Sequence, residues 1–65
     1  MENQEKIREN QKEIHLLKKS NIYSLKKIKE SNQTWEKKEY YQVILMNNKR
    51  IKELSEHNHK LGGFR

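Results

Sequence analysis

The sequence predicts an all-α fold, a two-helix antiparallel hairpin of coiled-coil type, on three observations. Proline is absent and the two glycines stand together at 62 and 63, so no helix breaker occurs before them. Apolar residues recur at helical spacing in two separate stretches, 7–28 and 40–61. Between the stretches, "ESNQT" at 30–34 interrupts the pattern with side chains that stop one helix and cap the next.

The first helix is predicted at about 3–30. On a helical wheel Ile7, Ile14, Leu17, Leu25 and Ile28 form one stripe, with Asn10 and Asn21 inside it. Asn21 falls at a core position, where a buried amide fixes register at a cost in stability. The charges of this helix segregate. Glu2, Glu5, Glu9 and Glu13 lie on one flank, and Arg8, Lys12, His15, Lys18, Lys19, Lys26 and Lys29 spread over the other. Solvation alone would mix the signs.

The turn is predicted at 31–33, with Thr34 or Asn32 as the next N-cap and Glu36 opposing the helix dipole in the first turn. One continuous helix is the competing reading. The hairpin is favoured because its capping chemistry is present and because it buries two stripes on each other.

The second helix is predicted at about 34–60, its stripe formed by Tyr40, Val43, Ile44, Ile51, Leu54 and Leu61 with Asn47 and Asn58 included. "YYQVILM", 40–46, has strand-forming residues, but it does not alternate and has no second strand to pair with. Its stripe continues in phase to Leu61, which only a helix explains. Gly62 reads as the C-cap, and 62–65 as a flexible tail.

Several apolar residues fall off both stripes: Leu16 and Tyr23 on the first helix, Tyr41, Leu45 and Met46 on the second. One partner helix cannot cover them all. Two hairpins packed as a homodimeric four-helix bundle would bury both sets, and closed two-fold symmetry is the commonest solution. The alternative is that this patch is the site for a target. Trp35, at the start of the second helix, is expected to close the end of the hairpin core; its other role would be an exposed anchor.

Composition agrees with a partner-dependent protein. Of the 65 residues only 31% are hydrophobic and 37% are charged, near the border of intrinsic disorder. Chains below about 70–80 residues usually need disulfides, a metal or oligomerisation. Cysteine is absent, which excludes disulfides and thiolate metal sites. No run approaches the roughly 18 apolar residues of a membrane span, and "MENQEKIREN" lacks the apolar core of a secretory leader. A cytoplasmic location is expected, in the host cytoplasm if the chain is phage-encoded. The Lys, Asn, Ile and Glu bias fits a phage or mobile element of a low-GC bacterium.

No residue set points to catalysis. The "HNH" string at His57–His59 puts its imidazoles about 160° apart on a helix, unable to chelate one ion. A two-helix chain offers its carboxylates no cleft, and no glycine-rich phosphate loop is present. Neither cofactor, metal nor small-molecule substrate is expected.

Net charge is +6, which suits an anionic partner. Lys26, Lys27, Lys29, Lys37 and Lys38 crowd the turn, and Lys18, Lys19, Lys49, Arg50 and Lys52 form a second group. Lysine outnumbers arginine twelve to three, so binding to nucleic acid is expected to follow the phosphate backbone rather than base edges. In outline, a small helical hairpin that dimerises resembles the RNA-binding hairpin dimer of plasmid copy control, a likeness of shape that gives no residue a role. The function expected is a non-enzymatic regulator or inhibitor that binds a host protein through exposed apolar and basic helix faces. A nucleic-acid-binding helical dimer is the alternative.

Overall fold

The computed structural model describes residues 2–62, and within them the chain forms two helices, α1 (Glu2–Glu30) and α2 (Thr34–Lys60). No strand is present among the described residues, and 40–46 is helical throughout. The three residues between the helices allow no crossover, so α2 returns antiparallel along α1. The result is a rod of 48 × 17 × 14 Å.

Both helices end for local reasons. Lys27 and Lys29 sit in the last turn of α1, where cations oppose the dipole. The Ser31 amide still donates to the Lys27 carbonyl, at 2.9 Å. The Ser31 hydroxyl oxygen then accepts from the Gln33 amide at 3.1 Å, which turns the chain. Gln33, with extended dihedrals, is the N-cap of α2, and it makes no side-chain cap bond. Neither Thr34 nor Asn32 therefore serves as the expected cap. The Lys37 amide closes the first turn on the Gln33 carbonyl at 3.1 Å, and Glu36 stands in that turn as predicted. At the far end Leu61 is the C-cap. Gly62 follows with φ +86, a left-handed conformation that glycine adopts without a Cβ penalty, and its amide donates to the His59 carbonyl at 3.0 Å. The rest of the predicted tail, 63–65, lies outside the described residues.

Two amide networks set the register between the helices. Asn10 Nδ2 donates to Asn58 Oδ1 at 2.8 Å, and Asn58 Nδ2 donates to the Ile7 carbonyl at 3.3 Å. Asn47 Nδ2 donates to Asn21 Oδ1 at 3.0 Å, and Asn21 Nδ2 donates to Asn48 Oδ1 at 2.9 Å. Stepping three and four residues from these pairs places Ile7 opposite Leu61, Ile14 opposite Leu54, and Leu17 opposite Ile51. Toward the turn the same steps place Ser24 opposite Ile44 and Ile28 opposite Tyr40. The seam thus keeps a strict heptad on both helices.

Two stripe residues are corrected. Leu25 is 51% and Val43 39% exposed, whereas Ser24 is buried at 2%. The heptad places Ser24, not Leu25, on the seam. Across the described residues the buried set is Leu54, Ser24 and Asn58, so a single apolar side chain is fully out of water.

Candidate interaction surfaces

Because the seam is narrow, each helix leaves two flanks, and in an antiparallel pair like flanks adjoin. They build two broad faces. The first is formed by α1 positions 8, 11, 15, 18, 22, 25 and 29 and α2 positions 34, 38, 41, 45, 48, 52, 55 and 59. No glutamate occupies any of these positions. Arg8, Lys18, Lys29, Lys38 and Lys52 do, beside His15 and His59. Toward the turn its centre is apolar, with Ile22, Leu25, Tyr41 and Leu45 all exposed. There a groove of about 420 Å³ runs between the helices, lined by Leu25, Ile28, Thr34, Lys37, Lys38, Tyr41 and Ile44. This is the basic face.

The second face carries Glu9, Glu13, Glu30, Glu36, Glu39 and Glu53, with Lys6, Lys27, Arg50 and Lys60 among them. Arg50 Nε donates to Glu13 Oε2 at 2.8 Å, and Arg50 Nη1 stands 3.7 Å from Glu53 Oε2. The hydrogen bond and charge of Glu13 raise the Arg50 pKa above the ordinary guanidinium value. Lys27 Nζ lies 5.4 Å from the Tyr23 ring centroid and 4.0 Å from Glu30. Tyr23 meets Tyr40 edge to face, centroids 6.4 Å apart. Leu16, Tyr23, Val43 and Met46 are its exposed apolar residues. This is the glutamate face.

The predicted charge segregation of α1 is thus continued by α2. The ten cations expected to meet an anionic partner do not form one site. Lys18, Lys29, Lys38 and Lys52 lie on the basic face, with Lys37 at its turn end. Lys19, Lys26 and Lys49 stand on the outer ridges. Lys27 and Arg50 are engaged within the chain on the glutamate face. The predicted patch divides likewise, Tyr41 and Leu45 on one face and Leu16, Tyr23 and Met46 on the other. Trp35 does not close the core; it is 60% exposed on the outer side of α2. Ile22 was missed. At 67% exposure it belongs to the basic face, and its signal was an apolar residue between Asn21 and Tyr23, off the stripe.

His57 is bound into the seam edge, its Nδ1 lying 3.1 Å from Asn10 Nδ2. Among the described residues no cluster of three or more His, Asp or Glu could hold a metal, and no helix is long and apolar enough to cross a membrane. Comparison of the chain with protein-family models, with curated proteins and with solved structures returns no match.

Proposed function

We propose that this chain is a non-enzymatic protein-interaction module, acting as a regulator or inhibitor by docking its exposed helix faces on protein. One observation carries the reading. Among the described residues nine large apolar side chains are at least 39% exposed, against a single fully buried one, Leu54. A helical hairpin gains nothing for its own fold from Ile22, Tyr41, Leu45 or Met46 in water, and contiguous apolar exposure marks interaction sites. The tyrosines of the patch suit an interface centre, and the lysines around them suit the polar rim that borders one.

The second reading, nucleic-acid binding, is favoured by the acid-free face alone. One capture experiment separates the two. Tagged wild type is exposed to lysate of a low-GC bacterium, with and without nuclease, beside the Tyr41→Ser/Leu45→Ser variant. A protein partner that survives nuclease and is lost with the variant is the expected result. Loss of every partner after nuclease overturns it. In that case replacing Lys29, Lys37 and Lys38 should lower the log–log salt slope of nucleic-acid binding by about 0.7–0.9 per lost phosphate contact.

A further inference from the structure

We propose that the basic face of one hairpin stacks on the glutamate face of a second copy, so that the chain assembles head to tail through two different surfaces. The inference rests on the interaction-module reading and names a partner for it.

The two faces carry the same zones in the same order, counted from the turn, with opposite sign. At the turn end the basic face presents Lys29, Lys37 and Lys38, and the glutamate face presents Glu30, Glu36 and Glu39. Among the described residues neither those three lysines nor Glu36 and Glu39 form an ion pair within the chain. Next come the apolar zones: Ile22, Leu25, Tyr41 and Leu45 on one face, Tyr23, Val43 and Met46 on the other, all exposed. Beyond them Lys18 and Lys52 match Glu13 and Glu53, a weaker zone because Arg50 already shares both glutamates.

A copy displaced sideways without reversal therefore sets lysine on glutamate and apolar on apolar through the turn half. Two-fold pairings do worse. Joining two basic faces brings lysines together with no acid in reach, and like charges opposed at close range repel. Joining two glutamate faces turn end to turn end opposes Glu30, Glu36 and Glu39 to themselves. Reversing one copy instead moves its apolar zone, which lies toward the turn, largely off its counterpart. Contacts between unlike faces do not close on themselves unless a ring forms, so the expected product grows with concentration rather than stopping at two.

The test uses two variants altered at exposed positions. Ile22→Glu/Lys38→Glu reverses the basic face, and Met46→Lys/Glu39→Lys reverses the glutamate face. In sedimentation velocity, wild type should grow past a dimer as concentration rises, and fall back toward monomer between about 0.05 and 0.5 M salt as exposed charges are screened. Each variant alone should stay monomeric with wild-type helicity. Mixed in equal amounts, the two should associate again, because each intact basic face meets an intact glutamate face and the two reversed faces also oppose unlike charges. Wild type that stops at a dimer overturns the stacking and leaves the interaction-module reading standing. So does a mixture of two helical variants that stays monomeric. Should either variant lose its helix, zero-length cross-linking of mixed light and heavy-isotope wild type decides instead. Mixed-isotope links from Lys37 or Lys38 to Glu36 or Glu39 are expected; their absence while copies associate overturns the proposal.

Discussion

The two halves of the hairpin divide their apolar residues differently between seam and surface. In the open half, away from the turn, Ile7, Ile14, Leu17, Ile51, Leu54 and Leu61 all face the seam, none of them exposed, and Leu16 is the large apolar residue left at an outer position. In the turn half the seam mixes Asn21, Asn47 and Ser24 with Ile28, Tyr40 and Ile44. There Ile22, Tyr23, Leu25, Tyr41, Val43, Leu45 and Met46 face water. A chain optimised only to fold would exchange these, placing leucine at 24 and serine at 25. The open half therefore holds the helices together, and the turn half presents a surface.

The largest effect that tests this division is the removal of Leu54. Among the described residues it is the one fully buried apolar side chain, and truncating such a residue costs about 2–5 kcal/mol in transfer and cavity terms. On a seam this thin, Leu54→Ala should abolish cooperative thermal unfolding by circular dichroism. Met46→Ala, at 70% exposure in the turn half, should move stability by no more than about 0.5 kcal/mol when measured in dilute solution, below the onset of self-association. Equal losses would mean that the exposed half also sustains the fold, and the contrast would fail.

Next in size is the polar layer of the open half. Asn58 is 1% exposed and both accepts from Asn10 and donates to the Ile7 carbonyl. Asn58→Ala removes both bonds from a buried site, leaving Asn10 only its contact with His57, and should cost about 1–3 kcal/mol in urea unfolding. Replacing Asn10 and Asn58 together by leucine should recover or exceed wild-type stability, since both partners are lost at once. What it gives up is uniqueness: the amide spectrum should broaden or split as neighbouring registers become accessible. A single sharp set of resonances in that double variant would show that the Asn21–Asn47 layer alone holds the register.

These layers also show which features the sequence discloses. Helix periodicity, the turn at 31–33 and the core asparagines are local or periodic properties, and each was legible from residue spacing. The heptad assignment near the turn was not. A straight wheel drifts by about 20° per heptad from a supercoiled seam. By residue 25 that drift favours an apolar Leu25 over the small Ser24 beside it. Val43 was drawn onto the seam in the same way. The position of Trp35 beside the turn suggests that it closes the core, yet Ile28 and Tyr40 already occupy the last seam layer before the turn. The division of exposed residues between two faces needed the register of both helices. Spacing within one helix cannot supply that.

The smallest effect concerns Glu13 and Arg50, the cross-helix ion pair on the glutamate face. Its geometry is good, 2.8 Å from Nε to Oε2, but both side chains are about half exposed, 50% and 43%. Exposed pairs give little, because solvent screens them and two long side chains must be held still. The pH dependence follows from the sign of the shift. A base whose pKa is raised on folding stabilises the fold at every pH below its unfolded value, and that contribution is lost only as pH climbs through the folded value. For Arg50 the window lies above the ordinary guanidinium value, far from neutral pH. Glu13→Gln should therefore leave the unfolding midpoint unchanged at neutral pH within error. The variant should track wild type from neutral pH up to about pH 10. A clear loss of stability in Glu13→Gln would move this pair from the surface into the set of contacts that hold the helices together. It would also free Arg50 to act as a cation for a partner, which in this structure it is not.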